Sequence, residues 1–188
     1  MRAAVWLLTA TFYLTCTMQR AQSADLGSGS DIHHSRKIQQ LLQKATRGDA
    51  QAQTDVGRAY ETGTGVPQDY FQAYEWYQKA ADRGHPIAQN NLGTLYANGR
   101  GVARDPAEAQ KWFLRSAAEG YAAAEFNLGL LYSPAFGSRN YAEALRWYRK
   151  AAEHGHALAQ NNLGDMLHKG LGIPKDCAEA LNWFRKSG

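Results

Sequence analysis

Between Ala88 and Gly120 the apolar residues fall into two stripes of helical period, separated by a glycine-containing turn. Ala88, Leu92, Gly93 and Tyr96 predict a first helix, A, with one buried face and a glycine that lets another backbone come close. Ala109, Trp112, Phe113 and Ala117, at i, i+3, i+4 and i+8, predict a second helix, B, with Trp112 as its core anchor. The pattern recurs. Val56-Gly57, Leu92-Gly93, Leu128-Gly129 and Leu163-Gly164 lie 36, 36 and 35 residues apart, and Trp76, Trp112, Trp147 and Trp183 keep the same beat. A fixed period in this range predicts a solenoid, because each helix pair buries its apolar face only by stacking on its neighbours. The copies span about 50–84, 86–120, 122–155 and 157–188.

The polar positions supply the boundaries. Gly63, Gly99 and Gly170 stand where helix A needs a left-handed terminal residue, and Gly65, Gly101, Gly137 and Gly172 extend the turn. Val66, Val102 and Ile173 place one apolar residue in three of the loops, expected to tuck between the helices. Asp69, Asp105, Asn140 and Asp176 are N-caps for helix B, with Gln72, Glu108, Glu143 and Glu179 three residues on as capping-box partners. Pro106 suits the first helical position. The third loop, Ser133-Pro134-Ala135-Phe136-Gly137-Ser138, is one residue short and lacks the first glycine and the valine. In the fourth copy Leu167 replaces the tyrosine found as Tyr60, Tyr96 and Tyr132.

The chain opens differently. Arg2 precedes an apolar run from Ala3 to Cys16, and Ala21-Gln22-Ser23 supplies small residues before Ala24, so residues 1–23 read as a secretory signal peptide. The run is short for a membrane span, which leaves an uncleaved anchor as the alternative. Thr15 is a poor neighbour for lipidation of Cys16. Residues 24–35 form a Gly/Ser-rich lead-in expected to be flexible. Ser35 is then expected to cap a helix over 36–47 containing Ile38, Leu41, Leu42 and Ala45. This helix is in register with a helix B and has Gln40 in place of the tryptophan, so it reads as an N-terminal cap. At the other end Trp183 and Phe184 lie in the last helix with no capping segment after them, an expected apolar face for a partner or a homodimer.

The order A-x-x-x-L-G-x-x-Y-x-x-G-x-G-V-x-x-D-x-x-x-A-x-x-W-F, found from Ala88 to Phe113, resembles the Sel-one-like repeat family, a branch of the tetratricopeptide-like solenoids. The resemblance covers residues 36–188. It implies an all-α, right-handed α/α solenoid of helix-loop-helix repeats, with four repeats and an N-terminal capping helix. It also implies scaffolding of protein complexes in envelope or secretory compartments.

Charge and candidate chemistry narrow the function. The net charge of +4 falls to about +2 once signal cleavage removes Arg2 and Arg20, and no lysine-arginine block is present, so nucleic acid is not an expected partner. Cleavage also leaves Cys177 as the single cysteine, which excludes an intrachain disulfide and separates the chain from the cysteine-rich subgroup of the same family. That subgroup, for which β-lactam binding or hydrolysis has been proposed, is the route to a competing enzyme reading; a secreted host-interaction factor is another alternative. His154-Gly155-His156 lies at an inter-repeat turn, where another copy has Arg83-Gly84-His85, and no acidic or cysteine cluster joins it at metal-ligand spacing. Every Gly-x-Gly sits between helices and reads as turn chemistry. No catalytic, cofactor or metal residues are expected.

What remains is a non-catalytic adaptor in the periplasm or secretory compartment (the ER lumen in a eukaryote), with no stable membrane span after cleavage. The side of helix A opposite its buried stripe is expected to form an inner, concave row. It comprises Gln51, Thr54, Arg58 and Glu61; then Ile87, Asn90, Thr94 and Ala97; then Ala123, Phe126, Leu130 and Ser133; and finally Leu158, Asn161, Asp165 and His168. From it Arg58, Asn90, Thr94, Phe126, Leu130, Asn161 and Asp165 are the expected contacts to a protein or peptide. Phe126 and Leu130 form a central apolar patch, and Asn90 and Asn161 stand ready to hold a peptide backbone.

Overall fold

The computed structural model describes residues 29–188; the signal segment, its cleavage site and Cys16 lie outside the described residues. The chain divides after Lys37 into two compact units, and the second, Ile38–Gly188, carries all four copies. The described residues form nine α-helices and no strand. Helix α1 (Gly29–Thr46) is followed by α2 (Ala50–Thr62) and α3 (Tyr70–Ala81), α4 (Pro86–Asn98) and α5 (Pro106–Ala118), α6 (Ala122–Tyr132) and α7 (Tyr141–Glu153), and α8 (Ala157–Lys169) and α9 (Cys177–Ser187). The pairs are the helices A and B expected of the four copies. The start of α1 is a correction: it begins at Gly29, inside the stretch expected to be flexible, so Ser35 lies within the helix and does not cap it.

From α2 onward each helix packs on the next, both within a copy and from one copy to the following one. The apolar side chains sort into four successive clusters. Ala45, Ala52 and Val56 join α1 to α2, with Trp76 of α3 against them. Tyr77, Leu92, Leu95 and Trp112 fill the second cluster, Phe113, Leu128 and Trp147 the third, and Tyr148, Leu163, Met166 and Leu167 the fourth. Trp112 is the core anchor expected of it.

One contact repeats in all four copies. A Cβ on Gly57 would lie 2.6 Å from the Tyr77 ring, on Gly93 2.7 Å from Phe113, on Gly129 2.5 Å from Tyr148, and on Gly164 2.6 Å from Phe184. Helix A therefore offers bare backbone, and the aromatic that follows each tryptophan in helix B lies directly against it. On the other side of each tryptophan the cation three residues later covers the ring: Lys79 at 4.2 Å, Arg115 at 4.5 Å, Lys150 at 5.2 Å and Lys186 at 4.2 Å from the centroid. Such pairs contribute ~0.5–1 kcal/mol at exposed sites.

The caps form as expected in one half only. Asp69, Asp105, Asn140 and Asp176 each accept a hydrogen bond from a backbone N–H of the first turn of helix B. The partners three residues on turn elsewhere: Gln72 donates to Glu75, Glu108 pairs with Lys111, Glu143 with Arg146, and Glu179 with Arg149 and the Trp183 indole. The loops also bind successive copies together. Gly101 and Gly172, both at positive φ, sit so close to the first residue of the preceding helix B that a Cβ would collide with the backbone of Tyr70 or Tyr141. The shortened third loop departs from this. Pro134–Phe136 form a 3-10 turn, Gly137 approaches nothing, and Phe136 packs against the third cluster, as Val102 and Ile173 pack against the second and fourth.

Gly93→Ala tests the repeated contact, because the added methyl meets both the Phe113 ring and, at 3.2 Å, the rigid Ala109 carbonyl. Overpacking of this kind costs ~1–3 kcal/mol, more than the helix propensity alanine brings. Denaturant melts should show that loss; an unchanged or raised midpoint would remove the contact from the account.

Candidate binding site

The structure sorts the expected inner row into three groups. Thr54, Asn90 and Ser133 are buried and line no surface, and Ala97 is buried at the wall of a cleft. Asn90 is not available to a ligand, since its Oδ1 accepts from Asn127 Nδ2 at 2.9 Å and its own amide donates to Asn91. A second group is exposed or half-buried and engaged with neighbours: Arg58 pairs with Asp55, Asp165 with Lys169 at 2.7 Å, and Asn161 accepts from the Ser187 hydroxyl. Surface pairs of this sort contribute ~0–1 kcal/mol.

Phe126 and Leu130, expected to make one exposed patch, both pack against the fourth cluster, but only Leu130 also reaches a cleft. Phe126 stacks on the His156 ring at 4.6 Å and 19° and contacts Tyr148 at 5.7 Å, so it closes the junction between the third and fourth copies. Leu130 packs against that fourth cluster too and also faces the junction between the second and third copies. With Thr94, Ala97, Asn98, Phe113, Asn127 and Phe136 it lines a cleft of about 250 Å³. The walls are mostly apolar, and each rim amide has one N–H engaged: Asn98 Nδ2 donates to the Thr94 carbonyl at 3.0 Å and Asn127 Nδ2 to Asn90. The side-chain oxygens of Asn98 and Asn127 are left to accept N–H groups. Sequence reasoning missed Asn98, Phe113, Asn127 and Phe136. The short third loop carried the signal for Phe136, because the loop lacking its valine has an aromatic in the same six residues.

The model of the Sel1 repeat matches residues 50–85, 86–121, 122–156 and 157–188, four consecutive copies that coincide with the four helix pairs. The chain belongs to the Sel1 repeat family. Sel1 repeat proteins are generally non-catalytic scaffolds that mediate protein–protein interaction. A Sel1 repeat protein of Oxalobacter formigenes is similar at 35% identity and a TM-score of 0.73, over 81% of this chain and 63% of that one. The protein c5321, a protective antigen of uropathogenic Escherichia coli strains with the same fold, is similar at 36% identity and a TM-score of 0.65, over 80% of this chain and 40% of that one. This Sel1 repeat chain thus spans less than two thirds of the length of either. An immunity protein of Pseudomonas aeruginosa, Pa5087, shares the fold at 18% identity and a TM-score of 0.50, over 89% of this chain and 84% of that one. The curated proteins contain no match.

Other side chains of the Sel1 array bear on chemistry. Cys177 Sγ lies 3.8 Å from His168 Nδ1, a thiol-imidazole contact that sequence spacing did not suggest, but both residues are exposed and neither lines the cleft. No group of three or more His, Cys, Asp or Glu residues that would suit a metal occurs among the described residues. Among those residues no helix is long and apolar enough to cross a membrane. On α9, Phe184 is 38% exposed, whereas its counterparts Tyr77, Phe113 and Tyr148 are 0–3% exposed. Leu181 is exposed beside it.

Burial raises the Tyr77 hydroxyl above its usual range, helped by its hydrogen bond to Glu61 at 2.6 Å, and burial likewise raises Tyr148. His156 moves the other way: desolvation against its neighbours lowers it below the ordinary 6.5. Its Nδ1 accepts from Ala159 N–H at the start of α8, a cap that a proton on Nδ1 would abolish. Because the unfolded chain takes up this proton first, the His156 contribution to stability is complete above about pH 6.5 and is lost as the pH falls toward the folded value. An NMR titration should therefore place His156 below 6.5. A ring that titrates at or above that value would contradict the burial described.

Proposed function

We propose that this protein is a non-catalytic adaptor that is exported by residues 1–23 and holds a partner protein or peptide through the helix A surface, centred on the cleft between the second and third copies. The observation that carries this reading is the cleft itself: an apolar recess bounded by Thr94, Leu130, Phe113 and Phe136, with acceptor oxygens of Asn98 and Asn127 at its rim. Such a recess suits an apolar side chain projecting from a backbone whose N–H groups meet the rim. One side chain fully buried there gains ~1.5–3 kcal/mol, against little from Arg58 and Asp165 in the first and fourth copies, which already pair within their own helices. The membership of a family of protein-binding scaffolds supports the same reading.

Crosslinking and capture from the exported fraction, with wild type and variants side by side, test it. Leu130→Ala combined with Phe136→Ala should keep the helical circular dichroism signal and weaken capture roughly tenfold or more, as expected of anchor-pocket residues. Phe126→Ala should lower stability rather than binding, since Phe126 serves the adjacent junction. If the double variant folds and captures fully, while Phe184→Ser abolishes capture, the binding surface is the α9 face and the cleft assignment fails. The export claim is separable: N-terminal sequencing of exported protein should begin at Ala24, and finding Met1 would contradict it.

A further inference from the structure

In three of the four copies a buried glutamine near the start of helix A ties that copy to the one before. Gln53 Nε2 donates to the Ala45 carbonyl at 3.1 Å, Gln89 to Ala81 at 3.2 Å and Gln160 to Ala152 at 3.0 Å; each acceptor lies in the last turn of the preceding helix. The third copy has Glu125 at this place. An ionised carboxylate has no proton to donate. Glu125, fully buried, turns instead to His154 at the end of α7 in its own copy, with Oε2 2.7 Å from Nδ1, and Ala117 of α5 receives no side-chain hydrogen bond among the described residues. Oε1 of Glu125 has no partner, as Oε1 of Gln53 and Gln89 has none, so the difference from the other copies is the lost donor.

The same junction has lost a second tie. Gly101 and Gly172 press their loops onto the preceding helix B, but Gly137, in the short third loop, has nothing within 4 Å of the position a Cβ would take. The polar contacts left between the second and third copies are Asn127 with Asn90 and Gln110 with the Tyr132 hydroxyl. The cleft lies at this junction, with Thr94, Ala97, Asn98 and Phe113 on one side and Asn127, Leu130 and Phe136 on the other.

We propose that the junction between the second and third copies is the joint at which this solenoid opens, and that Glu125 loosens it by diverting to His154 the side chain that elsewhere clamps successive copies. Opening separates the array into copies one and two and copies three and four. A partner seated across the cleft would hold the joint closed; that consequence rests on the binding reading, whereas the joint is a property of the protein alone.

Native-state hydrogen exchange of the whole chain, with reciprocal substitutions, tests it. In the wild type, amides at the start of α6 should exchange faster than their counterparts at the starts of α4 and α8. Glu125→Gln restores the donor facing the Ala117 carbonyl and should slow exchange in α6 about tenfold, the weight of one neutral hydrogen bond. Gln89→Glu should speed exchange at the start of α4, making a second joint. The proposal is overturned if wild-type exchange is equal at the three junctions. It is also overturned if Glu125→Gln leaves α6 exchange unchanged or faster, or if Gln89→Glu leaves α4 as protected as before. None of these outcomes depends on a partner, so they stand apart from the fate of the cleft assignment.

Discussion

The close approach of an aromatic ring to a glycine in the facing helix sets the geometry from which the rest of this structure follows. A glycine inside a helix costs ~1 kcal/mol relative to alanine, so four of them at one repeated position require a return. The return is proximity: the rings of Tyr77, Phe113, Tyr148 and Phe184 occupy the space a methyl group would fill. With that distance fixed, the preceding tryptophan in helix B points to the neighbouring cluster and its far face is left for the cation three residues on. One small residue thus fixes the packing within a copy and, through the tryptophan, the packing of one copy on another.

Where the local chemistry repeats, the fold was legible. The helix stops at Gly63, Gly99 and Gly170, the caps at Asp69, Asp105, Asn140 and Asp176, and the buried stripe of helix A all follow from period and residue type. The cations over the tryptophans were equally open to reading, since a basic residue follows each tryptophan by three places. The start of α1 was not, because glycine and serine are weak guides to whether a short polar stretch continues a helix. The binding surface was the least legible part. A helix stacked between two others buries most of its circumference, so the face opposite the main stripe is also interior, and Thr54, Asn90 and Ala97 sit inside. Phe126 and Leu130 are four residues apart on one helix and share the fourth cluster, yet only Leu130 also lines the cleft. Spacing along a helix does not reveal which neighbour a side chain meets.

The third copy concentrates the departures from regularity, and the candidate site gathers there. Its short loop brings Phe136 to the cleft in place of a valine, and its glutamate replaces the clamping glutamine. A strictly periodic array would present the same recess at each junction. Irregularity makes the recess at this junction distinct, which is why the proposed binding site and the proposed joint both fall there.

A double-mutant cycle between Gly164 and Phe184 tests the central claim most directly, because the three atoms nearest to a Cβ on Gly164 all belong to the Phe184 ring, on a helix whose outer face is open. With the phenylalanine present, Gly164→Ala should destabilise the protein in denaturant melts. In the Phe184→Ala background the same substitution should become neutral or stabilising by up to ~1 kcal/mol, since only helix propensity remains, giving a coupling energy above about 1 kcal/mol. An equal cost of Gly164→Ala in both backgrounds would show that the ring does not set the approach of the helices and would contradict the account.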